Sequence, residues 1–132
     1  MDGEQISARV RAFIAEQVRS VVELECLLLL QRQPDREWTA EEMGRDLCID
    51  SQWSESEMED LARRGLAEVR TDSARRYRYS PRTDELRQAM QELAHDYAQR
   101  RVTIIQLIYA RPNDPIQSFA DAFLFRKGRS DG

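Results

Sequence analysis

The spacing of apolar residues predicts two helices in the first third of the chain. Residues 4–18 carry an apolar side chain every three or four positions, which predicts an amphipathic helix lying outside the core formed by residues 19–81. Residues 20–23 match a helix-capping box, so a second helix is expected to begin there. Residues 21–30 are apolar on nearly every side, which is typical of a central buried helix. Residues 31–37 contain Pro34 and predict a loop.

The middle of the chain predicts two short helices joined by a tight turn. A second capping box at 39–42 opens the first helix, and residues 48–50 make the turn. Asp50 or Ser51 caps the second helix. This helix is expected to stop at Gly65, because glycine readily adopts the backbone conformation that terminates helices.

A two-stranded hairpin is predicted directly after Gly65. Apolar and polar residues alternate with period two over 66–70 and 75–79, with a tip at 71–74 and Pro81 ending the second strand. The side chains expected on the inner side are Ala67, Val69, Tyr77 and Tyr79. Those expected on the outer side are Glu68, Arg70, Arg76 and Arg78. A hairpin in this place predicts a winged helix-turn-helix.

Further helices are expected on both sides of this unit. Residues 83–110 predict one long helix, because apolar residues keep a 4-3 spacing through a β-branched cluster and past Arg100. Residues 111–115 break the chain before a last amphipathic helix. We expect a single domain, mainly α with a small β-hairpin: a winged helix-turn-helix with additional N- and C-terminal helices. Its parts are 19–81 for the winged core, 1–18, 82–111 and 115–127 for the added helices.

The segment 47–66 resembles the MarR-type winged-helix regulators. In that family a small apolar turn leads into the recognition helix, which ends in a Leu-x-x-Arg-Gly-Leu pattern. The pattern is met here by Leu61, Arg64, Gly65 and Leu66. The resemblance covers about a third of the chain, mainly at structural positions. It implies a DNA-binding transcription regulator whose terminal helices build a homodimer.

The resemblance implies that the second helix and the hairpin contact double-stranded DNA. The candidate DNA-binding residues are Ser51, Gln52, Ser56, Arg70, Arg75, Arg76 and Arg78. Polar side chains on the helix can contact base edges, and a wing can reach the minor groove or the phosphates. The alternative for the arginines is a solvated hairpin surface with cross-strand ion pairs such as Glu68 with Arg78.

The charge of the second helix opposes DNA binding. Residues 50–64 hold five acids and two bases, and both bases lie at the far end. DNA affinity rests largely on cations that neutralise phosphates, whereas Glu55 and Glu59 would meet phosphates at close range. The alternative function is a winged-helix protein-protein interaction module whose acidic recognition helix does not bind DNA. Its candidate partner-binding residues are Trp53, Glu55 and Glu59.

Trp53 is an unusual residue for this helix. The neighbouring Ser54 takes the position expected to face the core, which places Trp53 towards the rim. It is either an aromatic anchor for a protein partner or partly buried against the helix that begins at Thr39. Partial burial is the expected outcome.

The apolar stripe of the long helix needs a cover, since this helix extends beyond a small winged domain. The possible covers are the N-terminal helix and a second subunit, and a two-fold homodimer is expected. The candidate interface residues are Leu86, Met90, Leu93, Tyr97, Ile104, Ile108, Phe119 and Phe123. The Phe-rich last helix either packs within the protein or docks another protein, and packing is expected.

Composition limits which other classes of function are compatible with the sequence. The net charge of -4 lends no support to a polyanion binder. No apolar run reaches the roughly 20 residues of a membrane span, and no secretory signal begins the chain. A cytoplasmic protein without a membrane partner is therefore expected. Cys26 and Cys48 lie in apolar surroundings and are expected to be buried, reduced thiols.

The sequence contains no residue set typical of catalysis. His95 is the single histidine, is expected at the surface, and has no second histidine or cysteine pair to complete a zinc site. The five glycines form no phosphate-binding loop. We therefore expect no enzyme activity, no cofactor and no metal. The expected partners are double-stranded DNA and a second copy of the chain, with another protein as the alternative.

Overall fold

Within residues 6–110, the part of the chain that this computed structural model describes, six helices and one hairpin follow the order of a winged helix-turn-helix. The elements are α1 (Ala8–Gln17), α2 (Val21–Arg32), α3 (Ala40–Leu47), α4 (Ser51–Arg63), β1 (Ala67–Thr71), β2 (Arg75–Tyr79), α5 (Asp84–Gln99) and α6 (Arg101–Tyr109). The predicted fold class is confirmed. The last predicted helix, with Phe119 and Phe123, lies outside the described residues.

Side-chain caps set the beginnings of α2, α3 and α4, as the sequence predicted. The Ser20 hydroxyl accepts a hydrogen bond from the backbone N–H of Glu23 at 3.0 Å, which opens α2. Thr39 and Glu42 form a complete capping box at the start of α3, with both bonds at 3.1 Å. Of the two caps considered for α4, it is Asp50 that accepts, from the Trp53 N–H at 2.8 Å.

The long helix predicted over 83–110 is wrong in one respect, because it breaks at Arg100. This residue has φ -136° and ψ 54°, outside the helical region, and it ends α5 while it starts α6. The β-branched residues that follow have low helix propensity, which makes this a weak point of the helix. The apolar stripe still continues across the break, since Ile104 and Ile108 are buried.

The N-terminal helix α1 is amphipathic, as predicted, and buries one face against the helices that follow the wing. Its buried residues Val10, Phe13 and Ile14 belong to one hydrophobic cluster with the leucines of α2. The helix packs against α5 and α6. The protein's own α1 therefore covers the apolar stripe of those two helices, which was one of the two covers considered.

The hairpin has the predicted faces and is fastened to the body by Trp38. Tyr77 and Tyr79 are buried, whereas Glu68 and Arg70 are exposed. Trp38 and Tyr77 exchange two backbone hydrogen bonds of 2.8 Å, and Trp38 is fully buried. This bridge extends the hairpin by one residue pair and holds the wing beside α4.

Helices α3 and α4 approach closely at the turn between them. The buried Ser54 hydroxyl lies within hydrogen-bond distance of the Ala40 carbonyl (2.5 Å) and of the Ser51 carbonyl (3.1 Å). A Cβ on Gly44 would lie 2.7 Å from the Ile49 carbonyl oxygen, so only glycine fits without movement. Sequence analysis correctly placed Ser54 towards the core.

Cys48 is exposed, which corrects the expectation of two buried thiols. It is the C-cap of α3 and has a left-handed backbone conformation, with φ 61°. The turn directs its side chain outward, whereas Cys26 on α2 is buried as expected. The mistake arose because apolar sequence neighbours do not determine where a turn residue points.

Candidate nucleic-acid interface

The outward face of α4 is mostly polar and nearly uncharged. Its exposed residues are Ser51, Gln52, Trp53, Glu55, Ser56 and Arg63. The three polar residues proposed to contact bases are thus all accessible to a ligand. The structure describes all of α4, and Glu55 is the only acid of this helix that is exposed. The sequence count of acids therefore overstates the negative charge of this surface.

Glu59 is bound by the wing and does not face solvent as a free charge. Arg75 Nη2 donates to Glu59 Oε1 at 3.1 Å, and Arg75 Nε and the Tyr77 hydroxyl both donate to Oε2. The hydrogen bond from Arg75, supported by the one from Tyr77, holds the pKa of Glu59 below its usual value. Burial and the bond to Glu59 raise the pKa of Tyr77 to about 12. The expectation that Glu59 meets phosphates is corrected by this contact.

Arg64 points into the protein and ties the end of α4 to the α1–α2 junction. Its Nη1 donates to Glu23 Oε1 at 2.9 Å and to the Gln17 carbonyl. Its Nη2 lies 3.6 Å from Asp60 Oδ2. The Glu23 side chain is only 1% exposed and that of Arg64 14%, so this pair is largely removed from water. Arg64, one of the two bases that the sequence places at the far end of this helix, is therefore a structural cation.

Glu23 is the residue of this region whose role sequence analysis missed. The signal that could have revealed it is an acid within the otherwise apolar run 21–30. An ionised carboxylate in a buried helix requires a cation or several donors, because desolvation strongly disfavours the charge. Arg64 supplies that cation from a position 41 residues away.

Glu57 occupies the side of α4 that faces Glu23. Burial, together with repulsion from Glu23, raises the pKa of Glu57. Its Oε2 accepts a hydrogen bond from the Trp53 indole N–H at 3.0 Å. Glu57, like Glu59, is thus engaged within the protein, and it does not add a free charge to the outward face.

All four wing arginines lie beside acids. Arg78 pairs across the strands with Glu68, the cross-strand pair named from the sequence. The others pair as Arg70 with Glu37 (2.7 Å), Arg75 with Glu59, and Arg76 with Asp72 (4.0 Å). Exposed ion pairs contribute only about 0–1 kcal/mol each, so a phosphate can replace the acid as the partner of an arginine. The wing is a set of partly neutralised arginines that remain accessible.

Trp53 is one of the exposed large apolar side chains of the described residues. Its exposed fraction is 46%, and its indole N–H donates to Glu57 on the same helix. The ring lies next to the polar residues of the outward face of α4.

The candidate dimer residues are mostly buried within one protomer. Met90, Leu93, Ile104 and Ile108 lie in its core, and Leu86 and Tyr97 are half-buried. These side chains are therefore not the ones that a second subunit would contact first. The opposite face of α6 exposes Val102 (67%) and Tyr109 (71%). Phe119 and Phe123 lie outside the described residues.

Two further observations concern the single histidine and the possibility of a membrane-spanning helix. His95 is exposed on α5, as expected. None of the helices described between residues 6 and 110 combines the length and the apolar character that crossing a membrane requires.

Comparison with known proteins gives two structural neighbours. Neither the protein-family models nor the curated proteins include a match to this sequence. BpsR of Bordetella bronchiseptica, whose DNA binding is regulated by 6-hydroxynicotinic acid, aligns with a TM-score of 0.49 at 18% identity, over 100% of this chain and 97% of that one. AdcR, a zinc-dependent MarR family transcriptional regulator in its Zn(II)-bound state, aligns with a TM-score of 0.41 at 18% identity, over 98% of this chain and 78% of that one. At this similarity neither neighbour decides what the present chain binds.

Proposed function

We propose that this protein is a dimeric winged-helix transcriptional regulator that binds double-stranded DNA. The observation that carries the proposal is the contact between Glu59 and Arg75. It withdraws an acid from the outward face of α4 and places an arginine at the junction of helix and wing. The face is thereby left polar and close to neutral, which removes the main objection that the sequence raised.

The arrangement assigns different tasks to the helix and the wing. Ser51, Gln52 and Ser56 would lie against base edges in the major groove, where side-chain amides and hydroxyls contact bases. Arg70, Arg75, Arg76 and Arg78 would contact phosphates or the minor groove. Because each arginine must first leave an acidic neighbour, we expect binding of moderate strength with a marked dependence on salt.

The dimer would use the outer face of α6 rather than the buried stripe. Val102 and Tyr109 are seven residues apart and lie on one side of the helix, with Ile105 between them. A second copy related by two-fold symmetry would cover this face and set two recognition helices side by side. Light scattering at micromolar concentration should give twice the monomer mass, and a monomer mass would contradict the dimer.

Fluorescence anisotropy with random-sequence duplex DNA tests the proposal. We expect micromolar binding at low salt that weakens steeply at physiological salt. The Arg75→Ala/Arg76→Ala variant should bind more weakly and with a flatter salt dependence. The control is Arg32→Ala/Arg87→Ala, which removes the same charge from exposed positions of α2 and α5. Equal DNA binding by the two variants would show that the wing arginines do not contribute to it. Failure of the wild type to bind DNA at low salt would overturn the proposal.

Exposure of Trp53 favours a second candidate, the winged-helix protein-interaction module. An exposed tryptophan beside Glu55 has the character of an interface anchor. If this function is the correct one, Trp53→Ala should abolish capture of a partner without lowering the melting temperature. If the protein is instead a DNA-binding regulator, the wild type should bind DNA. Trp53→Ala should then leave the capture of a protein partner unaffected.

A further inference from the structure

Three carboxylates from two helices converge beside the buried end of α4. Glu23 comes from α2, and Glu57 and Asp60 lie one turn apart on α4. Each offers one oxygen, and these three oxygens all lie within 4.8 Å of one another. Oxygen ligands of one cation stand about 2.0–2.6 Å from it, so two of them are separated by at most about 5 Å. The spacing therefore fits a shared ion.

Glu23 and Glu57 are each held in place through one of their two oxygens, whereas both oxygens of Asp60 lie near arginines, Oδ1 at Arg63 and Oδ2 3.6 Å from Arg64 Nη2. Glu23 Oε1 accepts from the backbone N–H of Arg19 at 2.8 Å and from Arg64 at 2.9 Å. Glu57 Oε2 accepts from the Trp53 indole at 3.0 Å, and Asp60 Oδ1 is bound by Arg63. Donors that fix one oxygen and leave the other for an ion are a common support of metal-binding carboxylates.

A buried oxygen of Glu23 provides an independent indication of a ligand. Glu23 Oε2 is inaccessible to solvent and has no hydrogen-bond partner among the residues that the structure describes. The whole side chain is 1% exposed. Buried polar atoms are nearly always satisfied, because an unpaired one costs about 1–3 kcal/mol, and more when it is charged. Within residues 6–110, Arg64 Nη2 is likewise buried without a hydrogen-bond partner, so both the anion and its arginine have unused hydrogen-bonding capacity at this place.

The charges and atom types indicate what kind of partner fits. Arg64 contacts Glu23 and Asp60, and Arg63 binds Asp60, so two cations stand against three carboxylates. The repulsion between Glu23 and Glu57 is what a further positive charge would relieve. Cys26 on α2 remains a thiol, since burial raises its pKa to about 12, and it does not act as a sulfur ligand. The donor set thus consists of oxygen only, which suits hard cations.

We propose that Glu23, Glu57 and Asp60 bind a hard divalent cation of the Mn²⁺, Mg²⁺ or Ca²⁺ type. The ion would join α2 to the C-terminal half of α4 and would complete the coordination of the orphaned Glu23 oxygen. Water would fill its remaining positions, as is usual for these ions. The proposal does not depend on DNA binding, because it rests on the interior of the helix-turn-helix.

Mn²⁺ binding tests the site with two independent readouts. Electron paramagnetic resonance of free Mn²⁺ should show one saturable site per chain, displaced by Mg²⁺ or Ca²⁺. Paramagnetic Mn²⁺ should also quench the emission of Trp53, whose indole is bonded to Glu57, and Trp53→Phe should remove this quenching. Saturable binding without quenching of Trp53 would place the ion elsewhere and overturn the assignment.

Glu57 and Asp60 are only half-buried, so variants at these two positions test the site without unfolding the protein. Glu57→Gln and Asp60→Asn preserve size and should each weaken Mn²⁺ binding by about tenfold or more, by the loss of one ligand. The matched control is Glu55→Gln, an exposed acid on the same helix, which should bind as the wild type does. Equal affinity in all three variants, or no saturable binding by the wild type at millimolar Mn²⁺, would overturn the proposal.

Discussion

Arg75 of the wing binds Glu59 of α4, with Nη2 3.1 Å from Oε1 and a second bond from Nε to Oε2. The two side chains are 47% and 27% exposed, so the pair lies at the surface between the two elements. It joins two groups that have opposite effects on DNA, an acid that repels phosphate and an arginine that attracts it. Each neutralises the other in the free protein.

Removing the acid should release the arginine. We expect Glu59→Gln to raise the affinity for random-sequence DNA by up to about fivefold, since an exposed pair contributes about 0.2–1 kcal/mol. The dependence of log affinity on log salt should steepen by about one, because one more cation meets a phosphate. Anisotropy titrations at several salt concentrations measure both effects. Glu85→Gln, an exposed acid on α5, is the control, and identical behaviour of the two variants would refute this prediction.

The buried pair of Arg64 with Glu23 should be costly to break from one side. Arg64→Ala is expected to lower the free energy of unfolding by about 3–5 kcal/mol, because it leaves the Glu23 carboxylate buried and uncompensated. The double variant Glu23→Leu/Arg64→Met should recover much of this loss, since no charge is left unpaired. Urea denaturation followed by circular dichroism gives the values. Arg63→Ala, at a 67% exposed neighbour, should change stability by less than about 0.5 kcal/mol. A similar loss in both single variants would contradict the assigned role of Arg64.

Gly44 should not tolerate alanine, although the exchange usually favours a helix. The added Cβ would lie 2.7 Å from the Ile49 carbonyl oxygen and 3.3 Å from the Ser54 hydroxyl, and the first of these is backbone. We expect a loss of about 1–3 kcal/mol from this overpacking, instead of the gain of up to about 1 kcal/mol that helix propensity predicts. Thermal or chemical unfolding decides the sign. Asp46→Ala, exposed on the same helix, should be close to neutral, and stabilisation by Gly44→Ala would show that α3 and α4 are not this close.

The two thiols should differ strongly in reactivity. Cys48 is exposed, whereas Cys26 is buried and its pKa is raised to about 12 by burial and then by Glu57. At pH 8 we expect one thiol per chain to react quickly with Ellman's reagent, and the second only after unfolding. Cys48→Ser should remove the fast phase, and a fast phase that persists in this variant would disprove the burial of Cys26.

The raised pKa of Cys26 also fixes the sign of its effect on stability. A raised pKa means that folding favours the protonated thiol. The resulting contribution is complete below the ordinary value of 9.0 and is lost as pH rises through about 12. Between pH 6 and pH 8 the free energy of unfolding should therefore be the same for the wild type and Cys26→Ala apart from a constant offset for lost packing. A difference that changes with pH in this range would contradict the prediction.

The sequence by itself determined the elements of the fold and several of their ends. Helix caps at Ser20 and Thr39 involve residues three positions apart, and the hairpin alternation shows directly in the order of residues. These signals are local, so periodicity and capping chemistry are enough to predict them. The MarR-type resemblance likewise rested on a short segment around Leu61 and Gly65.

Only the tertiary structure decided how the charges pair and what covers each face. Glu59 and Arg75 are 16 residues apart, and Glu23 and Arg64 are 41 apart. No local pattern reveals such partners, because they depend on how helices and wing pack. The same holds for the cover that α1 gives to α5 and α6, and for the outward turn of Cys48. The sequence contains five acids in the segment 50–64, whereas packing determines that two of them, Asp50 and Glu55, are exposed and the other three are partly buried.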